Sequence, residues 1–305
     1  MKKWLRPLSY IKRGLTSLFV CAVVLIPILS LSQWSHAFSG TQPADTRKAT
    51  QLPAFIPRAV DTSSTPPNLF SQPLISVTFD DGWESVYTDA MPLLNKYGIH
   101  TTQYIIAGTY DDPGYLSDAQ IRAIAQSGDE IASHTMTHPD LTTLLNNSDL
   151  TYQLQHSQQL LLQKFGSLGS NVAEDFAAPY GHTDPRTLGF IQKYYASQRN
   201  TNGDYTNGIS QYDVNVAGNF DRYNIIGVTV NKDTKVSDLQ ALVSYAVAHD
   251  GWLVLVYHQA DDSQSSKYAL DSKSLAEQLK YLSSTMVRIV PVDQALQSLN
   301  QKLEY

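Results

Sequence analysis

The sequence predicts an α/β fold in which a parallel sheet, covered by helices, closes into a barrel. Short apolar strand-like runs alternate with helix-like segments from Leu74 onward. Runs that are apolar throughout suit strands buried on both faces. An open doubly wound sheet satisfies the same alternation, but the chain length and the seven or eight strand–helix units favour a barrel.

The elements follow in order. "LISVTF" reads as the first strand and "WESVYTDAMPLLNKYG" as a helix stopped by Gly98. "TTQYIIAG" is strand-like. "SDAQIRAIAQSG" opens on a capping box, Ser117 with Gln120, and stops at Gly128. "DEIAS" is a strand, followed by a long helix from about Asp149 to Phe165. "EDFAA" and "DPRTLGFIQKYY" form the next strand and helix. Asn200 to Asn224 shows no period and is expected to be a long excursion. "NIIGVTV", then "SDLQALVSYAVAHDG" with a second capping box at Ser237 and Gln240, then "WLVLVYH", "SLAEQLKYLSS", "VRIVPV" and "DQALQSLNQKL" complete the alternation.

The N-terminal part reads differently. Lys2, Lys3, Arg6, Lys12 and Arg13 precede an apolar run from Leu15 to Leu31, and Ser35-His36-Ala37 resembles a small-x-small cleavage site. This order predicts an export signal. The alternative is an uncleaved anchor through residues 15–31, weakened as a helix by Pro27. Either way the domain is expected outside the cytoplasm, secreted or at the cell surface, with membrane contact only through this segment if it is uncleaved. Residues 38–70, rich in Pro, Ser, Thr and Gln, read as a linker. The expected organisation is therefore signal or anchor (1–37), linker (38–70) and catalytic domain (71–305). The net charge is −6 and no basic stripe is present, which argues against nucleic acid as a partner. The single cysteine, Cys21, lies in the signal, so the domain has no disulfide, thiolate metal site or cysteine nucleophile.

In parallel α/β folds the C-terminal strand ends share one rim, and that rim carries the chemistry. Asp80 and Asp81 follow "LISVTF"; His134 follows "DEIAS", with His138 four residues on; Pro179-Tyr180-Gly181 follows "EDFAA"; His258 follows "WLVLVY". Two imidazoles and one carboxylate form a three-ligand metal site that leaves positions open for water and substrate. A metal so held acidifies water, and the second aspartate can take the proton. Adjacent residues at a strand end point in different directions, so the two aspartates can serve different partners.

These motifs resemble the NodB-homology polysaccharide deacetylases, carbohydrate esterase family four, over roughly residues 71–305. Thr-Phe-Asp-Asp-Gly at 78–82 matches the first family motif, His134-Thr135-Met136-Thr137-His138 the second, and Val256-Tyr257-His258 loosely matches the last. The resemblance implies a distorted (β/α)7 barrel with a glycan groove. It implies Asp80 as general base and Asp81, His134 and His138 as ligands of zinc, cobalt or another divalent metal. It also implies His258 as general acid and the Tyr180 backbone N–H, within Pro179-Tyr180-Gly181, as oxyanion donor. Two departures stand out. The third motif's arginine is replaced by Ala177, and no match exists for the fourth motif, Asp-x-x-x-Trp. Arg199 is the expected replacement for the base-steadying arginine, with Arg222 as second choice.

Each residue also has a plainer reading: a solvated turn for Asp80-Asp81, surface or core histidines for His134, His138 and His258, simple packing for Tyr180. Their coincidence at the strand ends favours the site. Trp83 and Trp252 are balanced between sugar stacking and packing, and His36, His100, His156, His182 and His249 read as structural or solvent-facing. The expected function is an exported, metal-dependent hydrolase removing N-acetyl groups from a polysaccharide such as peptidoglycan, a chitin-like polymer or poly-N-acetylglucosamine. The alternatives are a glycan O-acetyl esterase of the same family and a non-catalytic glycan-binding protein that keeps the metal site. A glycosidase-like barrel would need two well-separated carboxylates, and Asp80 and Asp81 are adjacent.

Overall fold

The computed structural model describes residues 72–169, 171–204, 213–263 and 266–300. The expected export signal and the linker lie outside these residues. Among the described residues no helix is long and apolar enough to cross a membrane.

Seven parallel strands form a closed ring: β1 (Leu74–Asp81), β2 (Thr102–Ile105), β3 (Glu130–Ser133), β4 (Asp175–Ala177), β5 (Ser197–Asp204), β6 (Ile225–Thr229) and β7 (Trp252–Tyr257). They neighbour one another in chain order, and β1 closes the ring by pairing Leu74 to Phe79 with Trp252 to Tyr257. The ring is uneven, because β3 and β4 share a single register pair, Ser133 with Phe176. Past the rim, β8 (Gln259–Ala260) and β9 (Ala269–Leu270) make a small parallel pair. The run "VRIVPV" yields only β10 (Arg288–Ile289), which lies outside the ring beside the start of β1.

The helices are α1 (Met91–Tyr97), α2 (Asp118–Gln126), α3 (Asn147–Thr151), α4 (Ser157–Phe165), α5 (Pro185–Tyr194), α6 (Val236–Ala248), α7 (Ser272–Ser284) and α8 (Val292–Asn300). A π-helical turn, Val86–Ala90, leads into α1, and another, Tyr152–His156, joins α3 to α4. The Ser117–Gln120 capping box forms as the sequence predicts. The second box does not. Helix α6 starts earlier, and the Asp238 carboxylate accepts from the Lys235 N–H at 2.7 Å. Asn200 to Asn224 is not wholly an excursion, because β5 continues to Asp204. Its "SQRNTNGD" is too polar to read as a strand buried on two faces.

The physical reason lies in the ring's two faces. Side chains alternate along a strand, so each strand presents one row to the helices and one to the lumen. The outer row, with Ile75, Val77, Phe79, Leu253 and Leu255, packs on Leu94 of α1, Leu239 and Leu242 of α6 and Leu279 of α7 in the main core. The inner row is largely polar and still buried: Ser76, Thr78, Asp80, Thr102, Glu130, Asp175, Ser197 and Arg199. The strands are therefore not apolar throughout. Some lumen groups bond one another, as where Thr102 Oγ1 donates to Glu130 Oε2 at 2.7 Å and Trp252 Nε1 to Ser76 Oγ at 3.0 Å. Trp252 is fully buried there, which excludes it as a sugar platform.

Candidate active site

The strand ends gather the expected residues on one rim. Phe79 pairs with Tyr257, so Asp80 and His258 leave neighbouring strands at the same level. Asp81 has φ 75° and Gly82 φ 79°, and this left-handed turn swings the second carboxylate away from the first. Asp80 remains in the lumen, while Asp81 faces the histidines. The histidine pair sits on a tight loop, with Thr135 at φ 69° and His138 at φ 59°. Non-glycine residues in this region store strain, which gathers at functional sites.

The three expected ligands meet. Asp81 Oδ1 lies 3.6 Å from His134 Nε2 and 3.4 Å from His138 Nε2. Ligating atoms of all three lie within 4.8 Å of one another. Donors about 2 Å from one ion at tetrahedral angles stand about 3.3 Å apart, close to this spacing. Asp81 Oδ1 is buried and has no hydrogen-bond partner among the described residues. Its other oxygen accepts from Trp83 Nε1 at 2.9 Å. His134 Nδ1 donates to the Ala177 carbonyl at 2.8 Å, which leaves Nε2 with a free lone pair. The donor set fits a divalent metal.

Asp80 is steadied by the residue expected to do so. Arg199 Nη2 donates to Asp80 Oδ1 at 2.7 Å and Oδ2 at 2.6 Å. Arg199 pairs in register with Ala177, so the guanidinium comes from the strand next to the one that lacks an arginine. Burial pushes the Asp80 carboxyl up, but Arg199, aided by His134 and His258, outweighs it and holds the pKa below the usual carboxylate value. Burial pulls His134 down to about 4 against the attraction of Asp80, so its imidazole stays neutral. Arg222, the second choice, does not reach Asp80; its charge acts on Asp175.

Pro179-Tyr180-Gly181 forms a 3-10 turn with Tyr180 at φ 61°. Gly181 and His182 donate back to the Ala178 and Pro179 carbonyls, and the Tyr180 N–H makes no such bond among the described residues. The Tyr180 ring is 58% exposed and packs edge-on against His138, with centroids 4.8 Å apart. Across the rim, His258 stacks on Tyr268 at 4.9 Å. Its Nδ1 is buried without a hydrogen-bond partner among the described residues, consistent with the missing fourth motif. Sequence reasoning missed the role of Trp83, which supports a ligand and stacks on Tyr115 at 4.7 Å rather than presenting a free face. Its position two residues after Asp81 was the available signal.

The fold is a (β/α)7 barrel, and its C-terminal rim gathers two histidines and one aspartate that could hold a metal ion. Residues 69–196 match the family described as polysaccharide deacetylase. A Bacillus subtilis protein classed as a polysaccharide deacetylase, YxkH, is 32% identical over 124 residues, 40% of this chain and 42% of that protein. The chitooligosaccharide deacetylase of Sinorhizobium fredii is 37% identical over 71 residues, 23% of this chain and 31% of that protein. The match thus spans less than half the length of either relative. Among solved structures, the family-four esterase domain of a multidomain xylanase from the hindgut metagenome of Trinervitermes trinervoides shares the fold, with a TM-score of 0.52 at 19% identity over 75% of this chain and 92% of that one. A family 4 acetyl xylan esterase from Clostridium thermocellum, solved with a cobalt ion, gives 0.50 at 17% identity over 73% and 90%.

Proposed function

We propose that this chain is an exported, metal-dependent hydrolase that removes N-acetyl groups from an N-acetylglucosamine-containing polysaccharide. The observation that carries the proposal is the division of labour between adjacent aspartates. Asp81 turns to the two histidines, and Asp80 turns to Arg199. Asp81, His134 and His138 would hold zinc, cobalt or another divalent ion. When bound, the metal supplies Lewis-acid polarisation of the acetyl carbonyl and acidifies a water.

The chain's own groups do the rest. Asp80, kept ionised by Arg199, takes the proton as the water oxygen adds to the carbonyl carbon. The Tyr180 N–H donates to the oxygen on which negative charge develops. His258 protonates the nitrogen as the C–N bond breaks, leaving acetate and a free amine. An amine leaves poorly unless protonated, so a complete acid–base pair favours the amide over the ester. Export follows from the basic-then-apolar order of residues 1–37.

The test is acetate release from N-acetylglucosamine oligomers and peptidoglycan, measured beside acetylated xylan. Faster release from the N-acetylated glycans supports the proposal. Release from acetylated xylan alone would replace it with an O-acetyl esterase. Metal binding without release from any glycan would replace it with a binding protein.

A further inference from the structure

Arg199 holds Asp80 in an incomplete way. One nitrogen, Nη2, makes both contacts, and Nε is buried without a partner among the described residues. A guanidinium that presents two parallel N–H groups fixes its own plane against a carboxylate; one that uses a single nitrogen does not. Something else must fix the plane. The Tyr104 ring lies 5.0 Å from the Arg199 guanidinium carbon. Tyr104 is fully buried in the lumen, its Cα registers with that of Asp80, and its hydroxyl has no partner among the described residues. The face of the ring, not its hydroxyl, makes the contact, and a desolvated cation is attracted to an aromatic face.

The arginine stem has its own clearance. Gly227 lies within β6, where a glycine weakens a strand and marks a close approach by another group. A Cβ on Gly227 would stand 2.8 Å from Arg199 Cδ and 2.7 Å from Val256 Cγ2. Both are closer than real contacts, so any side chain here would push the stem off the barrel wall.

We infer that Tyr104 and Gly227 are positioning residues: the tyrosine ring and the space beside the glycine seat Arg199 on Asp80. The inference rests on the reading of Asp80 as the base. The tyrosine is kept for its ring, and the glycine for its missing side chain.

The full chain tests this with three variants. Tyr104→Leu should lower kcat about tenfold or more with KM and bound metal unchanged, as should Gly227→Ala. Tyr104→Phe keeps the ring and should stay within about twofold of the parent. A Tyr104→Leu enzyme with full kcat, or a Tyr104→Phe enzyme as impaired as Tyr104→Leu, would overturn the inference. If the parent releases no acetate with metal bound, the reading of the base fails instead. The seating is then decided by melting temperatures of Tyr104→Leu, Arg199→Met and the double variant. Seating requires the double loss to be smaller than the sum of the single losses, and additive losses overturn it.

Discussion

Arg199 and Asp80 lie 119 positions apart in sequence, yet the arginine holds both oxygens of the aspartate inside the barrel, at 2.7 and 2.6 Å. Only 1% of the arginine side chain and 6% of the aspartate are exposed. Removing one member of such a pair leaves a buried charge uncompensated, at about 3–5 kcal/mol. Arg199→Ala is therefore expected to lower stability by that order in urea denaturation and to lower kcat about 100-fold through misplacement of the base. Because Ala177 registers with Arg199 on the next strand, adding Ala177→Arg should recover part of the lost kcat. An Arg199→Ala enzyme with full activity would remove the guanidinium from the account.

Trp83 bonds Asp81 and stacks on Tyr115. Its indole N–H fixes the oxygen of Asp81 that does not face the histidines. Loss of such a supporting bond lowers metal affinity about 10- to 100-fold. Trp83→Phe keeps the ring stacked on Tyr115 and should show that loss in a chelator competition assay, with KM nearly unchanged. Unchanged metal affinity would return Trp83 to a packing role.

The proposed role of His258 as general acid predicts a difference between amide and ester substrates. General acid catalysis contributes about 100- to 10,000-fold where the leaving group must be protonated. His258→Ala should lose that much on N-acetylated glycans and much less on acetylated xylan. Equal losses on both substrates would show that the imidazole does not act on the leaving nitrogen.

Glu130 and Asp175 are expected to weaken the fold at alkaline pH. Both are buried in the lumen, Glu130 Oε1 has no hydrogen-bond partner among the described residues, and burial, joined by the charges of Asp175 and Asp293, pushes the Glu130 carboxyl well up. The folded state thus keeps a proton that the unfolded chain releases near pH 4.5. The folded pKa lies above the unfolded one, so this stabilisation is complete below about pH 4.5 and is lost as pH rises through the folded value. Glu130→Gln mimics the protonated form: its amide N–H₂ can donate to Asp175 while its oxygen accepts from Thr102. The variant should melt higher than the parent at pH 9, with the gap narrowing towards pH 5. A lower melting temperature at pH 9 would contradict a proton kept on Glu130 in the folded state.

Much of the fold was legible because the outer row of each strand and one face of each helix are apolar, and because Ser117, Gln120 and Gly128 punctuate α2 plainly. The candidate metal site was legible because Asp81, His134 and His138 lie in two short motifs at strand ends. The polar lumen was not. Ser76, Thr78 and Thr102 look incidental within apolar runs, and only strand pairing makes Thr102 a neighbour of Glu130 and Ser76 a neighbour of Trp252. The same polarity hid β5, whose lumen-facing Ser197 and Arg199 break any apolar pattern. Arg199 could be proposed from the gap at Ala177, but its support by Tyr104 and Gly227 depends on register across strands β2, β5 and β6.

The central claim is a hydrolytic site built on Asp81, His134 and His138 with Asp80 as its base. Acetate release from N-acetylglucosamine oligomers, followed together with bound metal, tests it most directly. The account predicts about one divalent ion per chain, acetate release that stops when a chelator removes the ion, and recovery on adding zinc or cobalt. It also predicts that Asp80→Asn keeps the ion and loses release. Acetate release that continues after the metal is stripped, or an Asp80→Asn enzyme as active as the parent, would contradict it.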